Sequence, residues 1–210
     1  MKREYYSQDG QDKFIMETFF PFQMQGTFVD IGANDGIDLS NTYAFEKRGW
    51  KGYCIEPLVD VFKKLVVNRP NSICVNSIIS DKTGESDFLA VEATSHIKML
   101  SGELKKYDRR HLARINREIT THGGSTEVIK VKSYRFEDII EPTTIDYLSI
   151  DVEGGEYDIV KSIDFNKYDI KIMSVENNYE EKSMITLIES FGFQHIYNIG
   201  ADNIYITKNL

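Results

Sequence analysis

The sequence predicts a doubly wound α/β domain whose mostly parallel sheet ends in an antiparallel hairpin. Three observations predict it. Short apolar runs alternate with stretches of helical spacing, the first run closes on a glycine-containing loop, and the last two runs flank a tight turn at Gly200-Ala201-Asp202. Strands buried on both faces read as continuous apolar runs. Strand–helix–strand repetition with short connections implies parallel pairing through right-handed crossovers.

Phe28 to Gly32 is the first strand, and Asn41 to Gly49 follows as a helix stopped by glycine. Gly52 to Glu56 is the second strand, stopped by Pro57; Leu58 to Asn68 then carries apolar residues at helical spacing. Ser72 to Ile79 reads as a third strand. Ile145 to Asp151 is a fourth, with a helix from Gly155 to Ile163 after it. Ile170 to Asn177 is a fifth, followed by a helix over Glu180 to Phe191. Phe193 to Ile199 and Asn203 to Thr207 form the closing hairpin.

The rhythm breaks between Ser86-Asp87-Phe88-Leu89 and Val128-Ile129-Lys130-Val131. An irregular polar insert at about residues 93–126 holds Lys105, Lys106, Arg109, Arg110, Arg114 and Arg117, with His96, His111 and His122. A structureless stretch of this length inside a compact domain is expected to be a lid, a binding loop or disordered. Its segment Lys98 to Arg117 suits recognition of an anionic acceptor, and equally a solvated amphipathic helix.

The chain of 210 residues suffices for one such domain, and we expect a single domain over 1–210. A formal charge of −8 disfavours general nucleic-acid binding, which needs a basic surface against phosphates. No apolar run approaches the roughly 18 residues of a membrane span. The opening from Met1 to Asp9 is polar, without a secretory core. Cys54 and Cys74 both sit in apolar strands and read as buried thiols, so a reducing, cytoplasmic setting is expected.

The loop Val29-Asp30-Ile31-Gly32-Ala33-Asn34-Asp35-Gly36 joins the first strand to its helix, where glycine permits a tight turn and close ligand approach. About twenty residues on, Glu56 ends the second strand, where a carboxylate can accept from both ribose hydroxyls of an adenosine. Asp30 and Asp35 bracket the loop. Two carboxylates repel a pyrophosphate but suit an ammonium and a sulfonium, which favours S-adenosylmethionine over NAD. The plain alternative for Asp35 is a turn or cap residue.

A second acidic group follows. Asp151 ends the fourth strand within Asp151-Val152-Glu153-Gly154-Gly155-Glu156, and Glu176 and Asn177 end the fifth. Ligands of open parallel sheets bind beyond these ends. Asp151, Glu176 and Asn177 are therefore candidate ligands for a divalent metal, Mg²⁺ or Mn²⁺, with Asp151 and Glu153 as catalytic candidates. Alternatively, Asp151 and Glu153 only cap the following helix, and Glu156 reads as structural.

In these segments, taken in order, the chain resembles the FkbM family of methyltransferases. The resemblance rests on Tyr6 to Asp12, Phe28 to Gly36, Ser40-Asn41-Thr42-Tyr43, Glu46 to Trp50, Gly52 to Pro57, Asp146 to Glu156 and Asp202-Asn203-Ile204-Tyr205. It implies a class I methyltransferase fold and methyl transfer to oxygen, often on sugars or natural products. It further implies that Gln8 and Gln11 close over the cofactor and that Ser77 and Ile78 lie beside the adenine. The candidate cofactor contacts are then Gln8, Gln11, Asp30, Gly32, Asn34, Asp35, Gly36, Asn41, Glu56, Pro57, Ser77, Ile78 and Asp151. The acidic set is similar in placement to the metal site of catechol O-methyltransferases, whose lysine base is replaced here by Gly154. Glu153, a histidine of the insert or a metal-bound hydroxide are the candidate bases. The function so implied is O-methylation of a sugar hydroxyl in a glycan or glycoconjugate. The alternatives are a small natural-product or lipid hydroxyl, or a non-catalytic S-adenosylmethionine-binding module.

Overall fold

The structure, a computed structural model, describes residues 4–141 and 143–208; the first three residues of the polar opening lie outside it. Along the chain come α1 (Gln11–Thr18), β1 (Thr27–Ile31), α2 (Tyr43–Lys47), β2 (Lys51–Ile55), α3 (Val59–Asn68) and β3 (Ile73–Val75). A second group follows: β4 (Ile78–Ile79), β5 (Gly84–Glu92), α4 (Ser95–Lys98), β6 (Gly102–Glu103), a 3₁₀ turn (Leu104–Lys106), α5 (Arg109–His122), β7 (Ser125–Tyr134) and α6 (Phe136–Ile139). The chain then returns through β8 (Thr144–Ile150), α7 (Glu156–Ser162), β9 (Asp169–Glu176), α8 (Lys182–Ser190), β10 (Phe193–Ile199) and β11 (Asp202–Thr207).

Seven strands form the main sheet in the order β10-β11-β9-β8-β1-β2-β3. Pairing is parallel from β3 to β9 and antiparallel at β11 and β10, as expected from the sequence. Alternate residues of one strand serve opposite faces. Val29, Leu148 and Met173 pack with Ile159, Val160 and Ile188 of α7 and α8 on one side. Phe28, Tyr147 and Ile172 pack with Ile15, Phe45 and Leu65 of α1, α2 and α3 on the other. Strand order reverses between β1 and β8, so the crevice beyond their carboxyl ends is where such a sheet binds ligands.

Two sequence expectations need correction. Ser72 to Ile79 is two strands, not one. Asn76 donates from Nδ2 to the carbonyls of Glu56 and Pro57, both at 2.9 Å, and the chain leaves β3 there to begin a second sheet. That sheet, β4-β7-β5-β6, pairs the long strands β5 and β7 antiparallel, with Phe88 opposite Ile129. The insert is ordered rather than irregular. Asp108 caps α5 by accepting from the Arg110 amide at 2.7 Å. His111 and Ile115 of α5 are buried, and Ile115 packs with Val91, Ile97 and Leu100. The amphipathic helix offered as the alternative for Lys98 to Arg117 thus forms in part as α5, with one face buried rather than solvated. Cys54 is buried, Cys74 is only half-buried, and both are free thiols. Among the described residues no helix is long and apolar enough to cross a membrane.

Candidate active site

The glycine loop after β1 owes its shape to its neighbours. Gly32 has φ 93°, and a Cβ there would stand 1.7 Å from the Asp151 carbonyl oxygen, so only glycine lets β1 end against β8. Asp30 is buried. Thr42 Oγ1 donates to its carboxylate at 2.5 Å, and Arg69 Nη1 stands 3.9 Å away. Burial pushes this carboxyl up, and Arg69 and Thr42 oppose that push. Arg69, fully buried, donates to Glu46 Oε2 at 2.7 Å, to the Gly36 carbonyl at 3.2 Å and to Thr42 Oγ1 at 3.0 Å. Nothing in the sequence pattern singled out this arginine.

The charge argument built on Asp30 and Asp35 therefore changes. Asp30 is balanced by Arg69. Asp35 accepts from the Ile37 and Asp38 amides, each at 2.9 Å, as a turn residue does. Neither Asp35 nor Gly36 lines the cavity beside this loop, whose volume is ≈ 230 Å³. Gln8, Gln11, Asp30, Gly32, Asn34, Asn41, Glu56, Pro57, Ser77, Ile78 and Asp151 do line it.

At one end of the cavity, Glu56 accepts from the Leu58 amide at 2.7 Å, and burial pushes its carboxyl up to about 7. Ser77 Oγ is buried there with no hydrogen-bond partner, a vacancy that a polar ligand atom would satisfy. At the other end, Asp202 accepts from Gln11 Nε2 at 2.7 Å, and Asn41 Nδ2 donates to Ser149 Oγ at 3.1 Å. Burial pushes Asp202 up to about 6. Carboxyl groups thus do face the cavity, from Glu56, Asp151, Glu176 and Asp202 rather than from Asp35.

Asp151, Glu153 and Glu176 each offer an oxygen, and these oxygens all lie within 4.8 Å of one another. Burial, joined by the charge of Asp202 and opposed by a hydrogen bond with Glu176, pushes Asp151 up to about 7; burial and the neighbouring Asp151 push Glu153 up to about 8 and raise Glu176 well above the usual range. Carboxylates so crowded hold either shared protons or a cation. Asn177, the third ligand expected from the sequence, has both its polar side-chain atoms engaged elsewhere. Its Oδ1 accepts from the Glu181 amide at 2.9 Å and its Nδ2 donates to Asn203 Oδ1 at 2.7 Å, so the side chain braces the loop into α8 instead.

Glu153 stands beside Asp151 and Glu176 because of its backbone. Its φ of 61° is left-handed, rare for a side-chain-bearing residue and costly without support. Glu156 supplies the support: its carboxylate accepts from the Val152 amide at 3.0 Å and the Gly154 amide at 2.9 Å. Glu153 Oε2 has no hydrogen bond, although His111 Nδ1 lies 3.4 Å and Arg114 Nη1 3.7 Å away. His111 is the buried histidine of the insert; its Nε2 donates to the Leu100 carbonyl at 3.1 Å, and burial lowers its basicity. His96 and His122 are exposed.

Among curated proteins none matches the sequence. Among solved structures, a TehB-like SAM-dependent methyltransferase from Corynebacterium glutamicum superposes with TM-score 0.51 at 9% identity, covering 98% of this chain and 89% of that one. That likeness gives the fold, a class I methyltransferase sheet. The fibrillarin of Aeropyrum pernix, solved with natively bound S-adenosyl-L-methionine, gives TM-score 0.46 at 11% identity over 94% of this chain and 72% of its own. The model of the methyltransferase FkbM domain matches residues 30–197, most of the chain, from the end of β1 through most of β10. The chain belongs to the FkbM family of S-adenosylmethionine-dependent methyltransferases.

Proposed function

We propose that the chain is an O-methyltransferase acting on a sugar hydroxyl of a glycan or glycoconjugate, with a divalent cation, Mg²⁺ or Mn²⁺, beside the acceptor oxygen. The observation that supports this reading most is the meeting of Asp151, Glu153 and Glu176 at the ligand-binding edge of the sheet. Hard oxygen donors of this kind suit Mg²⁺ or Mn²⁺. When bound, such a cation supplies Lewis acidity that lowers the pKa of a hydroxyl, otherwise a poor nucleophile near neutral pH.

The chain's own residues do the rest. Glu56 accepts from the ribose hydroxyls of the donor, Ser77 Oγ and Ile78 meet the adenine, and Asp202, steadied by Gln11, attracts the donor's ammonium. Asp151 and Glu176 fix the acceptor end, which brings the nucleophile into line with the methyl group. Glu153 takes the hydroxyl proton as the oxygen–methyl bond forms and the sulfur–methyl bond breaks, leaving S-adenosylhomocysteine and a methyl ether.

The test is mass spectrometry of a glycan panel incubated with isotope-labelled methyl donor. Labelled glycan is expected, with at least a tenfold loss after chelation and recovery on adding Mg²⁺ or Mn²⁺. Asp151→Asn and Glu176→Gln are expected to prevent recovery. Full transfer after exhaustive chelation removes the cation from the reading, and label found only in small lipid or polyketide hydroxyls overturns the acceptor class.

A further inference from the structure

Glu153 and Glu176 have two sides. One faces the donor cavity. Against the other lies a second cavity of ≈ 230 Å³, bounded by the turn before α5, the loop between β8 and α7, and the loop after β9; Glu153, Glu176 and Asn178 line both cavities. We propose that this second cavity is the acceptor subsite and that it receives a neutral, hydroxyl-rich ring rather than a phosphorylated or nucleotide-linked sugar. The proposal rests on the O-methyltransferase reading above and adds where the acceptor sits and what is recognised.

Three tyrosines carry the first part of the argument. Tyr107, Tyr157 and Tyr179 all line this cavity. Tyr107 is held by stacking on His111, with ring centroids 4.7 Å apart, and by donation of its hydroxyl to the Leu100 carbonyl at 2.7 Å. Tyr179 is held by the Arg110 guanidinium, 3.8 Å from its ring centroid. Tyr157 remains 38% exposed. Rings fixed from behind offer flat apolar surface at little entropic cost, which suits the C–H faces of a pyranose.

Charge carries the second part. The cations near the cavity are already matched: Arg110 pairs with Asp108 at 2.8 Å and Glu181 at 3.2 Å, and Lys106 pairs with Asp158. Glu153 Oε2 and Glu176 sit at the inner wall, the former without a hydrogen bond. A Glu153 oxygen without a hydrogen bond suits a hydroxyl donor, whereas a phosphate, which brings mostly acceptors, meets no unpaired lysine or arginine among the described residues of this lining. Of the insert's lysines and arginines only Lys106 lines this cavity, and Asp158 pairs with it, so the sequence's hint of an anionic acceptor gives way here to a neutral one. A hydroxyl accepted by Glu153 or Glu176 from this side stands at the wall the donor cavity shares.

The experiment is saturation-transfer NMR on the protein loaded with S-adenosylhomocysteine, using methyl glycosides of glucose, galactose, mannose, fucose and rhamnose against the corresponding sugar 1-phosphates. At least one neutral glycoside is expected to bind at least fivefold more tightly than its phosphate. Tyr157→Ala and Tyr179→Ala are expected to weaken that binding at least fivefold, with S-adenosylhomocysteine affinity within twofold and melting temperature retained. Tyr157→Phe is expected to keep glycoside binding, because the ring face is what matters. Tighter binding of the phosphates, undiminished binding in both alanine variants, or no glycoside binding by a protein that holds S-adenosylhomocysteine normally overturns the subsite. Failure to bind S-adenosylhomocysteine overturns the donor reading beneath it, a separate and recognisable result.

Discussion

Glu56 condenses the chemistry of the donor cavity into one side chain. It ends β2, accepts from the Leu58 amide, and carries a proton affinity raised by burial to about 7 from an ordinary 4.5. The folded form thus binds this proton more tightly than the unfolded chain does. Stability from the group is complete below about pH 4.5 and is lost as pH rises through about 7, where the empty cavity must house a buried charge. At about 1.4 kcal/mol per tenfold change in proton affinity, the penalty at pH 8.5 is at most about 3 kcal/mol. Glu56→Gln is therefore expected to raise the melting temperature of the ligand-free protein at pH 8.5 by roughly 5 °C. It is expected to change it little at pH 4.5 and to weaken S-adenosylhomocysteine binding at least tenfold. Calorimetric melts at the two pH values, with titration of the ligand, check both parts; a variant destabilised equally at both pH values would show that Glu56 is a structural brace.

Between residues and the whole, α3 and its terminal Arg69 hold the glycine loop together. Arg69 closes α3 and ties Asp30, Gly36, Thr42 and Glu46 from a fully buried position. Removing one partner of a buried ionic group strands the others, at a typical cost of about 3–5 kcal/mol. Arg69→Met is expected to lower the melting temperature by roughly 10 °C. Arg69→Lys is expected to recover less than half of that, because one ammonium cannot replace the guanidinium fork. Thermal denaturation of both variants checks this. The network also marks the limit of what the sequence made legible. Apolar runs such as Ile145 to Ile150 declare strands locally, and so β1, β2, β8 and β9 were readable, as was the chance that Asp35 serves a turn. Arg69 was not, because its hydrogen-bond partners lie 23 to 33 residues away, Asp30 lies farther still, and only the folded crossing of α3 over the loop unites them. For the same reason the sequence did not separate Asn177 from Glu153. Spacing puts both near the strand ends, but the left-handed backbone at Glu153 and the brace from Asn177 to Asn203 decide which side chain joins Asp151 and Glu176.

At the scale of the molecule, the donor cavity lies between two sheets. Gly32, Glu56 and Asp151 reach it from the main sheet, and Phe88, Ser101 and Glu103 from the second. Ile115 of α5 packs on Val91 of the second sheet together with Ile97 and Leu100, and α5 returns His111 and Arg114 toward Glu153. Donor held against both walls therefore joins α5 to the acidic cluster through packed contacts rather than through a hinge. A ligand that binds only the native form raises the free energy of opening wherever its contacts must break. Saturating S-adenosylhomocysteine is accordingly expected to slow amide hydrogen exchange at least tenfold both in the loop from Gly32 to Asn41 and in the segment from Ser101 through α5. NAD at the same concentration is expected to change neither, since the carboxylates facing the cavity oppose a pyrophosphate. Protection confined to the Gly32–Asn41 loop would mean that the second sheet and α5 stand apart from donor binding, and the insert would then serve the acceptor alone.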